Sequence, residues 1–200
     1  ALLMHEGTNP AQRDDSADRP FRRNEERMLT IRGDWLDGRI DPAATEELLG
    51  TLRNGSADDA SEAVVAQLNA GIAPQSVWDA LHVASGEYLI QQTGIVALHA
   101  VTTTNALRYA WETSGVDETR RLLLLQNAAF LTMFREAMKS RGRIAPLTLA
   151  DLQEGDASTG GEATLHPELP ELIAHAESHG QITGLNTNGR RLAQASYVER

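Results

Sequence analysis

The strongest constraint on this chain is its punctuation. Gly55, Gly71, Gly94, Gly115 and Gly142 divide residues 41–143 into five apolar stretches of helical period, joined by connectors of only a few residues. Each stretch carries start and stop signals. Asp41-Pro42 supplies an N-cap and a first-turn proline, and Ser56 precedes Asp58 and Asp59 in the next first turn. Pro74 opens the third stretch, Gly94 the fourth, and Asp117 caps the fifth, which runs to Lys139, Arg141 and Gly142. Connectors this short make sequence neighbours antiparallel packing neighbours. The expected fold is therefore all-α, an antiparallel helical bundle or array of about six to seven helices.

Around this block the signals are weaker. A polar loop over residues 8–20 leads into a surface helix expected over about 20–31, with Phe21, Met28, Leu29 and Ile31 as its buried stripe. Gly33 and Gly38 bracket Trp35 and Leu36, which are expected to tuck into the core. Beyond Ala145-Pro146 the segment EGDASTGGEA has linker composition, and PELPELIAHAESH reads as a last helix. The expected organisation is a helical domain over 1–145, a linker over 146–166 and a helical segment over 167–200. The first turn, Ala1-Leu2-Leu3-Met4, has no N-cap, and Arg190 to Gln194 has no stop signal. Both ends read as cuts in a longer helical protein.

Composition narrows the function classes. Eighteen Lys and Arg against 28 Asp and Glu give a net charge of -10, which a phosphate backbone would repel, so no nucleic-acid partner is expected. There is no Cys, hence no disulfide and no thiolate nucleophile or metal ligand. No apolar run approaches membrane-spanning length, so the expectation is a soluble protein without a membrane partner, cytoplasmic by default. Aromatics are only 4% of the chain, leaving Leu, Ala, Val and Ile to build the core.

Candidate chemistry lies where polar residues interrupt apolar faces. Residues 93–113, TGIVALHAVTTTNALRYAWET, carry His99, Thr102, Thr103, Thr104 and Asn105. His99 and Thr103 are i and i+4 and share a face; Asn105 and Tyr109 do the same. Folding the third, fourth and fifth stretches as two hairpins sets Tyr88 level with His99, and His82 level with Asn105. It also sets Asn127 level with Thr103, and Gln126 with Thr104. At least one of Gln126 and Asn127 must point into packed apolar side chains. Left unpaired it would cost about 1–3 kcal/mol, so a partner is expected. Two readings stay open. These residues fix packing register inside a scaffold or binding module, or they line a pocket in which His99 exchanges a proton with a small-molecule substrate while Thr103, Asn105, Gln126, Asn127 and Tyr88 orient it. His82, beside Trp78, is the weaker catalytic candidate. His175 and His179 have i, i+4 spacing with Glu171 a turn earlier, but HAESH lacks the Glu that follows the first His in metalloprotease helices, and no metal site is expected.

The stretch GIAPQSVWDALHVASGEYLIQQTGIVALHAVTTTNALRYAW, continuing through RRLLLLQNAAFL, resembles a bacterial group of helical proteins and, more remotely, the questin oxidase-like family. The resemblance covers about residues 1–145 and is most specific at Leu98-His99-Ala100-Val101-Thr102 with Asn105-Ala106-Leu107. It implies an all-α fold and, by analogy with the fungal members, an oxidoreductase. Those members use NADPH and oxygen in Baeyer-Villiger-type opening of polyketide quinones. For this chain it implies oxidation of a small quinone- or ketone-like substrate at His99 and His82. It also implies that flanking helices or a partner chain complete the site.

Overall fold

The computed structural model describes residues 19–152 and 169–178. Among them are seven α-helices, one 3-10 turn and no strand, so the fold is all-α. The chain divides into two compact units, residues 1–151 and 152–200. The second contributes α7, Leu169–Ser178. The linker expected over 146–166 is described only as far as Leu152, and His179 and both chain ends lie outside the described residues.

The first unit holds α1 (Arg19–Met28), α2 (Pro42–Asn54), α3 (Ala57–Asn69), α4 (Pro74–Gln91), α5 (Ile95–Thr113) and α6 (Asp117–Lys139). The ends of α2 and α3 follow the punctuation, whereas α6 starts after Val116 without the side-chain cap expected from Asp117. Asp41 accepts from the Ala43 and Ala44 amides with Pro42 at the first helical position. Ser56 and Asp59 form a reciprocal capping box at the start of α3. Gly71 ends α3 with φ at 82°, donating to Leu68 O while the Ile72 amide reaches back to Gln67 O. That is a left-handed C-terminal stop, which a residue with a Cβ would resist.

α6 is the axis of the unit, packing against all five other helices, while α4 packs on α2, α5 and α6. Leu124, Leu125, Leu131 and Met138 of α6 are fully enclosed. Burying a Leu or Met completely is worth about 1.5–3 kcal/mol, so this helix carries a large share of the core. The α1–α2 connector is tied in by a parallel bridge. Arg39 N donates to Gly71 O at 2.9 Å and Ala73 N to Arg39 O at 2.7 Å. Gly38 makes the approach possible, since a Cβ there would sit 2.5 Å from Ala73 N.

Two packing expectations are corrected. α1 ends at Met28, and Leu29 is 73% exposed, because the chain tightens into Glu26–Leu29 and Arg27–Thr30 turns that rotate it outward. The helix buries instead Pro20 and a polar side chain, Asn24. Trp35 is buried as expected, whereas Leu36 faces out, since consecutive residues in so tight a turn cannot both point inward.

Candidate functional site

The inner stripe of α5 is Ala97, Ala100 and Thr104, spaced i, i+3 and i+7. Small side chains on that stripe let α5 lie close to α6, and the rest of the helix follows from the 100° step between residues. His99, Thr102 and Asn105 fall on the outer side and are exposed; Thr103 is half-buried. His82 on α4 is also exposed, with Nδ1 donating to Trp78 O at 2.8 Å. The two histidines therefore present their rings on the surface of their helices.

The other candidates lie inside. Thr104 Oγ1 donates to Asn127 Oδ1 at 3.2 Å, both wholly buried. Register across the α5–α6 hairpin is thus one residue from the expected Thr103–Asn127 level. Gln126 turns the other way and accepts from Asn24 Nδ2 at 2.7 Å. Adjacent residues on a helix point about 100° apart, so two successive amides of α6 serve two different neighbours, α5 and α1. Asn24 escaped the sequence reading because one polar residue in the charged run FRRNEER carries no periodic signal. Tyr88 donates its hydroxyl to Leu131 O at 3.0 Å rather than to anything on α5. Burial pushes its phenol well above the usual tyrosine range, so it acts as a neutral donor.

Among the seven residues singled out, Tyr88 lines an open cleft. That cleft, of about 400 Å³, lies between the C-terminal ends of α4 and α6, walled by Arg53, Gln91, Arg135, Lys139 and the segment 142–146. Behind it Glu87, 1% exposed, accepts from Arg53 Nε at 2.9 Å and Nη2 at 2.6 Å, and the Arg53 guanidinium is held charged more firmly in consequence. Glu87 also accepts from the Leu149 amide at 3.1 Å. Gln91 Nε2 donates to Leu147 O at 2.7 Å, and the Ala145 amide donates to Gln91 O at 2.9 Å. These bonds strap residues 145–149 along α4, and the strap forms one side of the cleft.

Arg135 separates this cleft from a second of about 580 Å³, lined by Arg23, Asn54, Ser56, Asp58, Thr132 and Glu136. Its guanidinium donates to Leu52 O and Gly55 O, satisfying carbonyls at the end of α2. Lys139 and Arg135 both pair with Glu136, holding that carboxylate below its usual range. Residues 53, 87 and 135 carried no motif in the sequence; a charged residue inside an apolar helical pattern, as Glu87 is between Ala84 and Tyr88, was the one available sign.

Among the described residues no three His, Asp or Glu side chains gather as a metal site, and no helix is long and apolar enough to cross a membrane. No protein-family model, curated protein or solved structure matches the chain.

Proposed function

We propose that the unit is a helical binding module, held in register by buried polar contacts, that takes a small organic molecule in the cleft over Tyr88. The observation that carries this reading is the use made of the polar side chains. Thr104 and Asn127, and Asn24 and Gln126, bond across helix interfaces, while His99 and His82 stand on the surface away from them. A general acid or base needs its ligand within hydrogen-bond reach, and of the amides that would orient that ligand Gln126 and Asn127 are enclosed in the core. The cleft over Tyr88 has the volume of a small-molecule site and mixes apolar walls at Ile144, Ala145 and Pro146 with a few polar groups.

The test pairs two variants with a probe. His99→Ala, an exposed substitution, is expected to change stability by no more than about 0.5 kcal/mol. Asn127→Leu is expected to cost about 1–3 kcal/mol through the stranded Thr104 hydroxyl and the altered packing. The neutral dye Nile red is expected to bind the native protein, and Ala145→Trp, which fills the cleft, to abolish that binding. Quinone-dependent NADPH oxidation that disappears in His99→Ala would overturn the reading in favour of an oxidoreductase. Nile red binding unchanged by Ala145→Trp would remove the cleft from it.

A further inference from the structure

At the opposite end of the bundle from Tyr88, the three tryptophans of the chain gather where α4 begins, α5 ends and α6 begins. Trp111 meets Trp35 at 6.3 Å and Trp78 at 5.9 Å between ring centroids, both edge to face. Arginines interleave with them. The Arg108 guanidinium carbon lies 5.4 Å from the Trp78 centroid and 5.0 Å from that of Trp111, and Arg120 lies 4.4 Å from Trp111. A guanidinium over an indole face gains cation–π attraction, so the stack holds itself together without consuming its N–H donors.

Part of the cluster is paired internally. Trp35 donates to Asp117 at 2.8 Å, and Arg121 pairs with Asp117 and donates to the carbonyls of Met28 and Ile31. The rest is not. Trp78 Nε1, Trp111 Nε1, Arg108 Nη1 and Arg120 Nε are buried donors with no partner among the described residues. Trp78 itself is wholly enclosed. Arg108 gives its Nε to Glu112 and its Nη2 to Gln75, whereas Arg120 makes no side-chain hydrogen bond or ion pair there at all. The adjoining start of α6 has no side-chain cap.

A buried polar group left without water or any other partner would cost about 1–3 kcal/mol, so four in one stack call for acceptors. All four are donors, and an occupant that satisfies them must be rich in acceptors. Charge sharpens this. In a chain with 28 carboxylates against 18 Lys and Arg, Arg120 forms no ion pair among the described residues, Asp117 of the same turn being taken by Trp35 and Arg121. Ring centroids about 6 Å apart leave no room for a planar body between them.

We propose that the Trp78–Arg108–Trp111–Arg120 stack binds a small oxoanion, a phosphate or the carboxylate of an organic acid, with the two guanidinium groups and the two indole N–H groups as its donors. This site is independent of the cleft over Tyr88. Residues 78 and 88 of α4 are separated by roughly 15 Å of helix, at 1.5 Å per residue.

The tryptophans report on the site directly, since the protein has no others. Sodium phosphate and sodium acetate are each titrated into the whole protein, replacing sodium chloride at constant ionic strength, and tryptophan emission is followed. A saturable change with a stoichiometry of one is expected for at least one of them. Phosphate alone identifies inorganic phosphate or a phosphate ester as the ligand, and acetate identifies a carboxylate. Arg120→Gln, which breaks no hydrogen bond within the described fold, is expected to weaken binding about tenfold or more, the worth of one charge-assisted bond. Arg120→Lys keeps the charge, loses the planar fork and is expected to fall between the two. No saturable change with either anion, or an unchanged response in both Arg120 variants, overturns the proposal and leaves water as the occupant.

Discussion

Glu87→Gln tests the node that joins the cleft over Tyr88 to its strap. The native carboxylate takes three donors, Arg53 Nε, Arg53 Nη2 and the Leu149 amide, while being 1% exposed. An amide of the same shape has one acceptor oxygen, and its NH2 must face at least one of those donors. Removing one partner of a fully buried ion pair costs about 3–5 kcal/mol. Arg53 keeps 30% of its side chain in solvent and can rehydrate in part, so the expected loss here is about 2–3 kcal/mol. For a unit of this size that is a fall in Tm of roughly 6–12 °C. The strap should loosen beyond the global loss, because the Leu149 anchor is weakened directly. Hydrogen exchange at the Leu149 and Ala145 amides, read beside Tm, separates the two effects. In Arg53→Gln/Glu87→Gln the charge is removed from both sides, and the double variant should be less destabilised than the two single losses summed. A Tm within a degree of native in Glu87→Gln, with unchanged exchange at Leu149, would refute the assignment of this carboxylate as the anchor of the strap.

Gly38→Ala should be disproportionately costly for a surface connector. Its Cβ would fall 2.5 Å from both Ala73 N and Ile72 C, so the Arg39–Ile72 bridge must open and lose two backbone bonds, about 1–3 kcal/mol by denaturant unfolding; a change below about 0.5 kcal/mol would mean the backbone shifts without breaking it. Stability should also fall on the acid side. Backbone amides of Ala44, Ser56 and Thr148 lower the carboxyls of Asp41, Asp59 and Asp151, and Lys139 lowers that of Glu136. Each group has a folded pKa below its unfolded one, so its contribution is complete above the ordinary carboxyl range and disappears as pH falls through the folded value. Tm should therefore be level above about pH 5 and drop below it, with a shallower drop in Asp41→Asn; a Tm that rises on acidification would reverse the sign of this account.

The ends of α2 and α3 were legible because they are decided by local chemistry, whereas Asp117, expected to cap α6, is drawn to Trp35 and Arg121 and leaves that start without a side-chain cap. Asp41-Pro42, Ser56 with Asp59, and Gly71 act through bonds spanning a few residues, and all three appear as the sequence suggested. Hairpin register was legible to one residue for the same reason, since the α5–α6 turn is short. Which face of α5 points inward was not. Ala97, Ala100 and Thr104 compete for the inner side with His99 and Thr103, and the choice depends on how closely α6 can approach. Small side chains win that contest by allowing closer packing, although a histidine is the more conspicuous residue in the sequence. The Asn24–Gln126 bond and the Arg53–Glu87 pair join residues far apart in the chain, and no local pattern encodes such a meeting.

The position of α6 explains where ligand chemistry can lie in this fold. A helix packed against five neighbours has no side open to solvent along its middle, and polar residues there, Gln126 and Asn127, can only bond the helices that enclose them. Open polar groups must then sit at its two ends. At the first, Arg120 stands on Trp111 beside unpartnered donors; at the second, Arg135 divides two clefts next to Tyr88. The fifteen-residue step from one to the other spans roughly 22 Å of helix. The conspicuous His99 lines neither cleft, so a role for it would have to be played on the outer face of α5, beside exposed Ile95 and Leu98.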